Sequence, residues 1–79
     1  MFPFKKTVRK AGRVRRYTIQ SIDGGWEVIT EQDEHSIRRV AYDDWHRVER
    51  ARRMIALELN TLRAHGWTDV TETNYSAKR

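Results

Sequence analysis

Between Asp43 and Trp67 the apolar residues Trp45, Val48, Ala51, Ile55, Leu59 and Leu62 recur at spacings of three and four. That period lines them along one side of a helix and predicts a single long amphipathic helix over this stretch. Its ends are marked as well. Asp43 or Asp44 can accept backbone N–H groups of the first turn, where a carboxylate also meets the positive end of the helix dipole. Gly66 can take the left-handed conformation beyond the last turn, which would set Trp67 against Leu62 in a Schellman motif. Arg47, Arg50 and Arg53 share the face opposite the apolar stripe, with Met54 and Leu57 among them.

Upstream the period changes to two. Val14 to Ile22 and Gly25 to Glu31 read as strands joined at Asp23-Gly24, a dipeptide suited to a type I′ hairpin. A two-residue loop pairs Ile22 with Gly25, Ile19 with Val28, Tyr17 with Thr30 and Arg16 with Glu31. One face then carries Tyr17, Ile19, Trp26 and Val28, and the other Arg16, Thr18, Gln20, Glu27, Ile29 and Glu31. Ser36 to Tyr42 supplies a third strand with Val40 and Tyr42 inward, Ile37 outward and Arg38 at the rim of the core face. The expected fold is α+β: a three-stranded antiparallel meander packed on one C-terminal amphipathic helix, in the order βββα. Residues 13–67 form that domain. Residues 1–12 are expected to be a flexible basic arm, in which Phe2 and Phe4 dock loosely, and residues 68–79 a polar C-terminal tail.

A chain of 79 residues has room for one domain, with a core small enough that a homodimer would help it. There is no cysteine, hence no disulfide and no thiolate chemistry. No apolar run approaches the roughly 20 residues of a membrane span, and the Met1-Phe2-Pro3-Phe4-Lys5-Lys6 start lacks the apolar core of a signal peptide. A cytoplasmic protein with no membrane partner is therefore expected. The net charge is +5, unevenly placed: Met1 to Ile22 holds seven basic residues and no acid, and Asp23 to Glu34 five acids and no base. Such a basic block suits an anionic partner, either nucleic acid or an acidic protein surface.

Catalytic constellations are missing. His46 and His65 are 19 residues apart, nearly 30 Å along a helix, and cannot share a metal with each other. His46 and Glu49 could face one ion but lack a third ligand. Ser21, Ser36 and Ser76 sit in no nucleophile-elbow pattern, and Gly24-Gly25 belongs to a hairpin and not to a phosphate loop. Asp43 and Asp44 are accounted for by N-capping. No enzymatic activity, cofactor or metal is expected.

The strand order, together with Gly25-Trp26-Glu27-Val28 and Ala51-Arg52-Arg53, resembles the small DNA-binding domains of plant ethylene-response factors and of some tyrosine-recombinase arms, over Arg13 to about Leu62. The resemblance implies major-groove reading by arginines and tryptophans on the open sheet face. Here that face carries Glu27 and Glu31, of the wrong sign for phosphate. The chain is also similar to short uncharacterised bacterial proteins of the strand-strand-strand-helix type, a likeness that implies no activity. The function expected from the charges is non-specific nucleic-acid binding through phosphate contacts from the arm (Lys5, Lys6, Arg9, Lys10, Arg13, Arg15) and the helix (Arg47, Arg50, Arg53). The alternative is a protein-interaction or homodimerisation module using Ile29 and Ile37, or Met54 and Leu57.

Overall fold

A computed structural model describes residues 4–70. Five strands and one helix follow in the order β1 (Phe4–Lys10), β2 (Arg13–Ile22), β3 (Gly25–Gln32), β4 (His35–Tyr42), α1 (Trp45–Ala64) and β5 (Thr68–Val70). They form one antiparallel sheet in the spatial order β4-β3-β2-β1-β5, with α1 across one face. The class is α+β, as the patterning predicts. The sheet is larger than the predicted meander, having four strands before the helix and one after it.

The central hairpin has the predicted register: Ile22 pairs with Gly25, Ile19 with Val28, Tyr17 with Thr30 and Arg16 with Glu31. Its turn differs from type I′. Only Gly24 has positive φ, at 81°, which leaves the left-handed region to the second central residue as in a type II turn. The two flanking hairpins instead have positive φ at both central residues, Ala11 and Gly12 in one, Asp33 and Glu34 in the other. Ala-Gly and Asp-Glu are weak hairpin signals, so neither turn stands out in the sequence. The second is held from outside its own loop: Asp33 donates its N–H to the Val14 carbonyl at 2.8 Å and accepts from the Val14 N–H at 2.9 Å through Oδ1.

The largest correction falls on the N-terminal segment. Residues Phe4–Lys10 of the expected flexible arm are β1, an interior strand hydrogen-bonded to β2 on one side and β5 on the other. Val8 on its helix side is 0% exposed, and Thr7 on the opposite side is also buried. Residues 68–70 of the expected tail are β5; the rest of that tail and Phe2 lie outside the described residues. Phe4 is half-buried against the core.

The core joins Val8, Tyr17, Ile19 and Val28 of the sheet to Val48, Ile55 and Leu59 of the helix. Phe4, Trp26, Tyr42, Trp45, Ala51, Leu62 and Trp67 pack around it, and the rings of Trp26 and Trp45 are 5.3 Å apart in a tilted arrangement. Both predicted helix ends are present. Asp44 is the N-cap, its Oδ1 accepting from the His46 N–H at 2.9 Å. At the C-terminus Trp67 N–H reaches the Leu62 carbonyl at 3.0 Å and Gly66 N–H that of Arg63 at 3.1 Å, with Gly66 at φ 98°. This Schellman turn swings Trp67 onto the core and aims Thr68–Val70 along β1. Among the described residues, no helix is long and apolar enough to cross a membrane.

Candidate functional site

Strand alternation and helical period decide which charged groups meet. On β1, Lys5 and Arg9 flank buried Thr7 on the open side of the sheet, while Lys6 and Lys10 share the helix side with Val8. The expected arm is thus divided between two surfaces. Lys10 donates through Nζ to the His65 carbonyl at the end of α1, where a cation suits the negative end of the helix dipole. Arg13 lies 3.6 Å from Asp33.

Arg15 is committed more firmly. Its guanidinium donates to Glu58 Oε2 at 3.0 Å and to Gln32 Oε1 at 2.8 Å, and the Tyr17 hydroxyl donates to the same Glu58 oxygen. Burial first, and then the Glu58 carboxylate, push the Tyr17 phenol up to about 12, with Arg15 acting in the opposite sense. The folded chain therefore keeps this proton where the unfolded chain, with an ordinary phenol near 10, has lost it. The resulting contribution is complete below about pH 10 and is lost as pH rises through about 12. At about pH 11 the loss is roughly 1.4 kcal/mol. Urea denaturation at about pH 9 and pH 11 is expected to show this decrement in the parent chain and a smaller one in Tyr17→Phe, where the remaining alkaline change comes from other groups.

On the open sheet face both acids meet cross-strand partners, while Lys5 and Arg9 of β1 have no carboxylate partner among the described residues. Glu27 accepts from Gln20 at 3.2 Å and lies 3.4 Å from Arg39, and Glu31 lies 3.8 Å from Arg16. Such pairs contribute about 0.2–1 kcal/mol each. Ile29, which the sequence places on a candidate dimer surface, is only 6% exposed at the middle of this face. Ile37 is 54% exposed and Met54 and Leu57 are each 61% exposed, but Ile37 lies on edge strand β4 and the other two on the helix.

The helix lies over the sheet so that β4 is left at its margin, and between them runs a groove of about 420 Å³. Its floor is Val28, Val40, Tyr42, Ala51 and Ile55; Met54 forms part of the helix wall, and Arg38, Arg47 and Arg50 also line the groove. The size falls within the roughly 300–1,000 Å³ of sites that hold small organic groups. Among the described residues none of these three arginines has a carboxylate partner, unlike Arg13, Arg15, Arg16 and Arg39. Thr30, Tyr17 and Glu58 complete the lining at the end nearest Arg38, since Arg38 pairs with Thr30 and Thr30 with Tyr17.

The predicted helix stripe is split by this geometry. Arg47 and Arg50 line the β4 groove, whereas Arg53 lines a shallower one of about 280 Å³ on the β1 side, with Phe4, Lys6, Arg52 and Arg63. There Arg52 is paired with Glu49 at 3.5 Å and Arg63 with Asp69 at 3.0 Å. Arg38, Tyr42 and Met54 are not among the nucleic-acid-binding residues that the charge pattern predicts. The signal for the first two is strand alternation, which puts Arg38, Val40 and Tyr42 on one face. Among the described residues there is no cluster of three or more His, Asp or Glu side chains able to hold a metal. No protein-family model matches the chain, and comparisons with curated proteins and with solved structures find no match.

Proposed function

We propose that this chain is a non-catalytic nucleic-acid-binding module that holds the phosphate backbone along the groove between α1 and β4. The observation that carries the reading is the convergence on one concave surface of Arg38, Arg47 and Arg50, which have no carboxylate partner among the described residues. Guanidinium groups donate in a planar fork that suits phosphate oxygens, and the charge of these three is not spent on a carboxylate of the described residues. Lys6 and Arg53 on the other flank of the helix extend the positive field without closing it into a single stripe. The binding is expected to be weakly sequence-dependent, because contacts to phosphate fix position and carry no base information.

Fluorescence anisotropy of a labelled oligonucleotide, measured at several salt concentrations between about 50 and 200 mM, tests this reading. Three phosphate contacts predict a slope of log K against log salt of about −2 on a single strand. Replacing Arg47 and Arg50 together by alanine should flatten the slope by roughly 0.7 for each arginine removed and weaken binding across all sequences alike. Affinity indifferent to salt, or to the replacement of both arginines, would contradict the proposal.

A further inference from the structure

We infer that the α1–β4 groove takes an unpaired nucleotide of a single strand, with its base against Tyr42, Val40 and Met54 and the flanking phosphates on Arg47, Arg50 and Arg38. The inference rests on the phosphate-binding reading and adds to it what the strand must be. Its ground is the joining of two chemistries in one concavity. A site for phosphate alone needs only exposed cations, yet these arginines border an apolar floor that includes the half-buried ring of Tyr42. A base carries a flat apolar face and its phosphates carry charge, so a nucleotide satisfies floor and rim together. A duplex keeps its bases stacked inward and offers the groove only backbone, leaving the floor unfilled.

The groove also has a direction. Tyr42 pairs with Trp26 and Arg38 with Thr30, so the aromatic end and the Arg38 end lie at different rungs of β4. Glu58 joins the lining beside Tyr17 at the Arg38 end and is already hydrogen-bonded there by Arg15 and Tyr17. That carboxylate, already committed to Arg15 and Tyr17, offers phosphate no free donor, which leaves the strand the stretch from Arg38 to Arg47.

Two other occupants fit less well. A second copy pairing along most of β4 about a two-fold axis would set the two Arg38 or the two Arg39 side chains opposite each other, a like-charge pair near the centre of the ladder. An extended acidic peptide added to the same edge would meet a strand bulged at Ile37, the unpaired residue between Ser36 opposite Glu31 and Arg38 opposite Thr30, the type of irregularity that blunts an edge.

Competition binding discriminates among these. The probes are a mixed-sequence single strand of about 12 nucleotides, within the ~4–16 range of single-strand sites, the same strand with abasic positions, its duplex, and a glutamate-rich peptide of equal charge. The single strand is expected to bind the parent chain about tenfold more tightly than the abasic strand, with the duplex and the peptide weaker again. Tyr42→Leu, which keeps an apolar side chain but removes the ring, should bring the intact and abasic strands to similar affinity. Equal binding of intact strand, abasic strand and duplex, with a salt slope that still depends on Arg47 and Arg50, would overturn the seated base while leaving phosphate binding in place. Preference for the peptide, or no nucleic-acid binding even at low salt, would overturn both. The abasic comparison uses the parent chain and so holds whether or not Tyr42→Leu folds.

Discussion

Replacing Val8 by aspartate is expected to abolish the cooperative unfolding transition. Val8 is fully enclosed between the sheet and α1, and the cation opposite it on β2, Arg15, is already committed to Glu58 and Gln32, so a carboxylate here gains a countercharge only by breaking that network. A buried, unpartnered charge costs several kcal/mol even after relaxation, against a total of about 4–12 kcal/mol for a chain of this length. The damage would spread because β1 is the strand that ties β5 to the rest of the sheet. Circular dichroism during thermal denaturation should show no sigmoidal transition for Val8→Asp, while Lys5→Asp, on the exposed side of the same strand, should retain one. A Val8→Asp chain that melted near the parent temperature would mean that β1 is not part of the core.

The second large effect is expected at Gly25, whose role is set by close approach and not by turn conformation. A Cβ at this position would overlap the Tyr42 carbonyl oxygen and stand 3.0 Å from its carbon, both backbone atoms that no side-chain rotation can move aside. Gly25→Ala must therefore push the start of β3 away from the end of β4. Overpacking of this kind costs about 1–3 kcal/mol, and a clash with backbone belongs at the upper end. Gly24→Ala, with nothing within 4 Å of its Cβ but a φ of 81°, should cost roughly 1–2 kcal/mol through conformational strain alone. Urea midpoints of the two variants separate the mechanisms. Gly25→Ala should also disturb nucleic-acid binding, because the displaced backbone carries Tyr42 and leads directly into the Asp44 cap.

These positions show what can be read from residue order and what cannot. The helix, its Asp44 cap, its Gly66–Trp67 exit and the register of the central hairpin are legible, since each rests on a local period or a residue with one conformational use. β1 is not. Its helix-facing positions are Phe4, Lys6, Val8 and Lys10, in which two lysines dilute the alternation, and only the packing of Val8 and the reach of Lys10 to His65 make that face apolar in effect. The Ala11-Gly12 and Asp33-Glu34 turns hide the hairpins on either side. β5 is three residues long and depends on the Schellman turn to deliver it to β1.

The candidate site is legible in its charges and not in its grouping. Arg47 and Arg50 are visible on the helix, but their meeting with Arg38 depends on where α1 crosses the sheet, which no local pattern records. Arg15 reads in the sequence as a free cation, whereas Glu58, 43 positions later, occupies it. Arg53 falls on the far flank because a face opposite an apolar stripe is wide enough to lie over two different grooves.

The central claim is that phosphate is held by the arginines beside β4 and not by the open sheet face. Backbone amide shifts on titration of isotope-labelled protein with a short single strand test it most directly. The expected result is movement confined to Arg38–Tyr42 and Arg47–Met54 that fades as salt is raised. Movement centred instead on Lys5, Thr7, Arg9 and Arg16, or none at low salt, would contradict it.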